Sequence, residues 1–121
     1  MTSDTAEPTR ALAGAAARAA DAKQGRDIVV LDVGGVLAIT DLFVITSGAN
    51  TRQVRTLVEE IEKGVKQAGG PGPLRIEGLG DAGWVLMDYG DFVVHVFLDE
   101  VRRFYDLERL WADAPRIELA G

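Results

Sequence analysis

His95 is the only histidine of the chain, and so the one side chain whose ordinary titration falls near neutral pH. A histidine that moves protons needs a nucleophile to activate or a carboxylate to orient it. The chain has no cysteine, and no serine or second histidine stands near His95 in sequence. Around it runs WVLMDYGDFVVHVFLDEVRRFYDLERLW, residues 84–111, which holds both tryptophans, both tyrosines and three of the four phenylalanines. With Gly90-Asp91 as a hairpin turn, Tyr89 faces Phe92, Met87 faces Val94 and Val85 faces Val96. Alternation then gives one sheet face Val85, Met87, Tyr89, Phe92, Val94 and Val96. The other carries Trp84, Leu86, Asp88, Val93, His95 and Phe97. Asp88 and His95 are diagonal neighbours there, but without a nucleophile they are no catalytic set. His95 is expected to be structural, hydrogen-bonded to a neighbour.

Two other stretches carry suggestive residues. VVLDVGGVL, residues 29–37, resembles the first motif of haloacid-dehalogenase-like phosphatases, in which one aspartate attacks phosphate and a second, two residues on, handles the proton. Asp32 fits the first role, but Gly34 stands in the second. ITSGAN, residues 45–50, puts Ser47-Gly48 between a strand and a helix, where backbone N–H groups can meet a phosphate. Nucleotidyltransferases follow a similar turn with paired acids for magnesium; here the next strand offers Glu77 alone. A nucleotide-binding or nucleotidyltransferase-like enzyme using Asp32, Ser47, Gly48 and His95 is thus the alternative reading, and saturable nucleotide binding with magnesium would mark it.

The elements that place these residues follow from periodicity and punctuation. Residues 1–7 read as a small, polar tail. An alanine-rich helix runs from Pro8 to about Lys23, able to lie close to a neighbour but burying little area. Residues 27–33 and 41–46 are short β-branched runs, hence strands. Ser47 or Asn50 caps the next helix, whose apolar face is Val54, Leu57, Val58, Ile61 and Val65. The Gly/Pro run 69–73 forces a loop. Strands follow over 74–77, 82–89 and 92–98. Asp99 is the natural cap of a helix over 100–105, with a further helical piece over 107–112 and a tail over 114–121. The order α-β-β-α-β-β-β-α makes one α/β domain, a mixed central sheet flanked by helices. Both faces of the 84–98 hairpin are largely apolar and need cover. Either the C-terminal helices bury the second face whole, or part of it stays open as the centre of an interface.

Composition narrows the function. A net charge of −6 argues against broad contact with nucleic-acid phosphates and suits a basic partner. The absence of cysteine excludes disulfides and thiolate metal sites. No secretory leader and no apolar run of about 20 residues is present, which predicts a cytoplasmic protein without a membrane contact. No cofactor is implied. A self-pairing aromatic face, and so a homodimer, is a further possibility.

One resemblance covers residues 8–113. Glu77-Gly78, Trp84, Asp88 to Asp91, the VVHVF of residues 93–97, Arg103 to Tyr105, and Leu107-Glu108 with Leu110-Trp111 match in order the signature of ribosomal silencing factors, the Iojap-like proteins. DIVVLDV and DLFVITSGANTRQV upstream are also similar. The resemblance implies a nucleotidyltransferase-like fold without the catalytic acids and no enzymatic activity. It implies binding to the large ribosomal subunit through a basic ribosomal protein, L-fourteen, that sterically blocks the small subunit and represses translation when nutrients are short. On this basis Trp84 and Tyr89 are expected as apolar anchors, Asp88 and Asp91 as partners for basic side chains, Gly90 as the close-approach turn, and Tyr105 and Glu108 as rim contacts. Phe104, Tyr105, Leu110 and Trp111 are expected to seat the last helices.

Overall fold

The computed structural model describes residues 7–35, 37, 39–106, 109 and 112–117. Helix α1 spans Glu7–Ala22 and helix α2 Thr51–Gln67. Strands β1 to β5 are Arg26–Asp32, Leu42–Gly48, Arg75–Glu77, Trp84–Asp88 and Phe92–Leu98, and α3 is Asp99–Tyr105. The five strands form one mixed sheet in the order β1-β2-β5-β4-β3. Only β2 and β5 run parallel; the other neighbours are antiparallel.

Helices α1 and α2 cover one face of the sheet. The α2 stripe Val54, Leu57, Val58, Ile61 and Val65 is buried against Val44, Val85, Met87, Val94 and Val96. Asn50 caps α2, its side-chain oxygen accepting the Gln53 N–H at 2.8 Å. The alanines of α1 allow a close approach to α2: a Cβ on Gly64 would lie 2.8 Å from the Ala19 Cβ. Helix α1 ends where Gln24 takes a left-handed φ of 63° and the Gly25 N–H bonds back to the Ala20 carbonyl. No helix among the described residues is long and apolar enough to cross a membrane.

The expected hairpin register holds, with Val85 opposite Val96 and Met87 opposite Val94. Four expectations need correction. Strand β2 runs on to Gly48, because its parallel pairing with β5 continues to Leu98; Ser47 and Gly48 therefore lie in a strand and not in a turn. Strand β4 begins only at Trp84, since Ala82 has a positive φ of 53° that breaks the extended backbone. Asp99 does not cap α3. It is the first helical residue, and its carboxylate pairs with Arg26 at the start of β1. Within the supposed C-terminal tail, residues 115–117 pair with β1: Asp32 N–H donates to the Pro115 carbonyl and Ile117 N–H to the Val30 carbonyl, both at 2.8 Å. The helical piece expected over 107–112 rests largely on Leu107, Glu108, Leu110 and Trp111, which lie outside the described residues.

Candidate partner-binding face

The second sheet face is built by alternation: Leu31 from β1, Phe43 and Ile45 from β2, Val93, His95 and Phe97 from β5, and Trp84, Leu86 and Asp88 from β4. Leu31, Phe43, Ile45 and Phe97 form a small buried core with Val33 and Ala114, and Val101 of α3 packs on it. Toward β4 the cover thins. Trp84, Leu86, Asp88 and Val93 keep partial exposure. Beyond Trp84 the surface continues as aromatic. Tyr105, half exposed, lies 5.1 Å from the Trp84 ring, and Phe104, 80% exposed, lies edge-on to Tyr105. Phe104 was expected to seat the helix. It faces outward because α3 turns Val101 and Arg102 to the sheet.

His95 is buried among rings, with Phe43 edge-on at 4.6 Å and Trp84 and Phe97 beside it. Its Nδ1 accepts the Trp84 indole N–H at 3.0 Å. Both diagonal neighbours were available, and it is Trp84, not Asp88, that bonds to it. The Asp88 carboxylate is engaged at the turn, where one oxygen accepts the Gly90 N–H at 2.8 Å and the other lies 3.4 Å from Arg75 Nε. Burial lowers the His95 pKa to about 4, so at neutral pH the ring is uncharged. A histidine so placed is poorly poised for proton transfer near neutrality.

The remaining expected residues divide. Gly90 sits in the turn with φ 85° and Asp91 is exposed beside it, its backbone carbonyl accepting the Asp41 N–H at 2.9 Å. Tyr89 does not fit the anchor role. The same alternation that exposes Trp84 turns Tyr89 to the helix-covered face, where it stacks on Phe92 at 4.6 Å and is 7% exposed. Burial, with Glu62 nearby, raises its pKa to about 12. Glu108 lies outside the described residues. Trp84, Asp88, Gly90, Asp91 and Tyr105 are thus the expected residues that present at least part of their surface.

The Ser47-Gly48 stretch offers a phosphate little. Ser47 is buried, its hydroxyl accepting from Arg102 Nη1 at 3.1 Å, and Gln53 Oε1 takes the Ala49 N–H at 2.7 Å. Asp32 accepts the N–H of Gly34 at 3.1 Å, an aspartate shaping a glycine turn. Two residues of structural weight were not anticipated. Arg102, buried, donates also to the Arg26 and Asp27 carbonyls, binding α3 to the start of β1. Gly78, with φ 86°, passes so near β4 that a Cβ would stand 2.2 Å from the Trp84 carbonyl oxygen. The pairing of Glu77-Gly78 with Trp84 in the sequence was the available signal for the second.

An α/β domain with an aromatic, acid-edged sheet face and the Ala49 N–H taken by Gln53 has the character of a binding module. The family model for the ribosomal silencing factor during starvation matches residues 6–121. Ribosomal silencing factor RsfS of Halalkalibacterium halodurans is 43% identical over 106 residues, covering 88% of this chain and 90% of the relative. The chain belongs to the ribosomal silencing factor family. A crystal structure of a protein from Chromobacterium violaceum superposes with a TM-score of 0.79 at 33% identity, covering 91% of this chain and 90% of that one. More distantly, the mouse protein named mitochondrial assembly of ribosomal large subunit protein 1 is 36% identical over 91 residues, 74% of this chain and 40% of the relative.

Proposed function

We propose that this chain is a ribosomal silencing factor that binds the large ribosomal subunit through the basic ribosomal protein L-fourteen. By standing where the small subunit docks, it represses translation under nutrient limitation. Its place of action is then the cytoplasm. The mechanism is steric, so no bond is made or broken. The observation that carries the reading is the partly open sheet face, with Trp84 at its centre, Tyr105 and Phe104 exposed beside it, and Asp88 and Asp91 at its turn. Aromatic anchors with apolar bodies dominate binding hot spots, and carboxylates at the rim pair with basic side chains. Family membership and the names of the relatives give the partner its class.

Co-sedimentation with isolated large and small subunits tests it. Recovery with the large subunit alone is expected; equal recovery with both, or with neither, would sink it. Asp91→Arg is the clean variant, since its side chain is exposed; Tyr105→Ala also removes a ring packed on Trp84. Each is expected to weaken capture by about 30-fold, the effect of losing roughly 2 kcal/mol at a hot spot, with Asp91→Arg melting close to the parent. Added salt should slow association with the basic partner.

A further inference from the structure

We propose that His95 is a positioning residue for partner binding: its Nδ1 holds the Trp84 indole in the orientation in which the ring meets the partner. The inference rests on the binding face proposed above and adds to it a residue that the partner need not touch.

The argument begins from an arrangement that costs folding. Because Nδ1 accepts the Trp84 N–H at 3.0 Å, the proton of the neutral ring must sit on Nε2. Nε2 is buried and has no hydrogen-bond partner among the described residues. A buried donor without an acceptor is destabilising; a leucine or phenylalanine would fill this ring-lined site without that donor, but would leave the Trp84 N–H unpaired instead. What histidine supplies that those residues do not is the acceptor on Nδ1. Among the described residues that acceptor serves the indole of Trp84.

That indole is the ring in need of a fixed orientation. Trp84 is only partly buried. Its ring is 4.9 Å from Phe97 and 5.1 Å from Tyr105, both in tilted contacts. Tilted ring contacts guide an indole weakly, because stacking tolerates rotation in the ring plane. A hydrogen bond from Nε1 removes that freedom. Ordering an anchor before it meets its partner lowers the entropy that binding must otherwise supply. The donor is also turned inward by this bond, so the ring presents apolar surface to the partner.

Two substitutions separate acceptor from bulk. His95→Leu fills the site but accepts no bond. His95→Asn is smaller, yet its amide oxygen is attached to Cγ as Nδ1 is, and so restores the acceptor. The readouts are exchange of the Trp84 indole proton by NMR, its signal assigned with Trp84→Phe, and capture by isolated large subunits. In the unaltered chain the proton should exchange slowly. In His95→Leu it should exchange fast and capture should weaken roughly two- to tenfold, the span of one hydrogen bond's net contribution. His95→Asn should recover both. Capture by His95→Leu at parent strength, or no recovery in His95→Asn, would overturn the inference. Fast indole exchange in the unaltered chain would overturn it without any variant, which covers the case of a variant that does not fold. Failure of the unaltered chain to bind the large subunit would instead overturn the proposed function.

Discussion

Mild acid should destabilise this domain through His95. The folded ring has its pKa lowered from 6.5 to about 4, with desolvation by burial as the cause. Between those values the unfolded chain takes up a proton that the folded chain refuses. Stability is therefore fully present above the unfolded pKa, falls as pH drops below it, and stops falling near the folded pKa. At pH 4.5 the difference in proton binding amounts to roughly 2 to 3 kcal/mol. For a domain of this length that lowers the melting temperature by on the order of 10 °C. Other contributions to acid sensitivity are removed by reading the effect as a difference. Urea unfolding followed by far-UV circular dichroism at pH 7, 5.5 and 4.5 would be run on the parent and on His95→Leu, which cannot titrate at this position. The gap between the two should shift in favour of the leucine variant by roughly 2 to 3 kcal/mol from pH 7 to 4.5. Parallel loss of stability in both proteins would refute the account, and would mean that the folded ring is open enough to be protonated as in water.

Other substitutions probe the two sheet faces and the close approach at β4. Met87→Asp places a charge under α2 at a fully buried position, a cost of several kcal/mol against a total stability of about 5–15; circular dichroism should show an unfolded chain, and a native spectrum would mean the helix-covered face is not the core. Tyr89→Phe deletes a buried hydroxyl that has no hydrogen-bond partner among the described residues, so stability should hold or rise by up to about 1 kcal/mol with capture by the large subunit unchanged; a marked loss of capture with stability intact would return Tyr89 to the anchor role. Gly78→Ala combines a positive φ with a Cβ 2.2 Å from the Trp84 carbonyl oxygen, and should lower stability by roughly 1–3 kcal/mol; a parent-like melting curve would show that residues 78–83 can shift away from β4 at little cost.

Local rules served where local forces decide. Period-two alternation about the Gly90-Asp91 turn fixed which side chains oppose one another in β4 and β5, and the α2 stripe followed from its helical period. The misreadings are places where a distant strand or side chain wins. Ser-Gly reads as a turn by propensity, yet pairing with β5, fifty residues on in sequence, keeps it extended. Asp99 has a good cap side chain, but Arg26 claims it across the sheet. The diagonal rule put both Trp84 and Asp88 within reach of His95; only the turn geometry that engages Asp88 leaves Trp84 as the donor. Trp84→Ala is for the same reason a poor test of grip alone. It would strip His95 of its partner, and stability would fall along with binding.

A sheet of five strands has two borders, and each is a template on which another chain could lay a strand. In this molecule the β3 border is only three residues long and bears exposed Arg75 and Glu77, so it offers little to copy. The β1 border is longer, and residues 115–117 occupy its Val30–Asp32 end from within the same chain. Those few residues therefore cover the part of the border that a second strand would otherwise find free. Cut ahead of Pro115, the domain would keep both of its helix-covered and ring-lined faces but bare the Asp32 N–H and the Val30 carbonyl, and copies should begin to ladder onto one another.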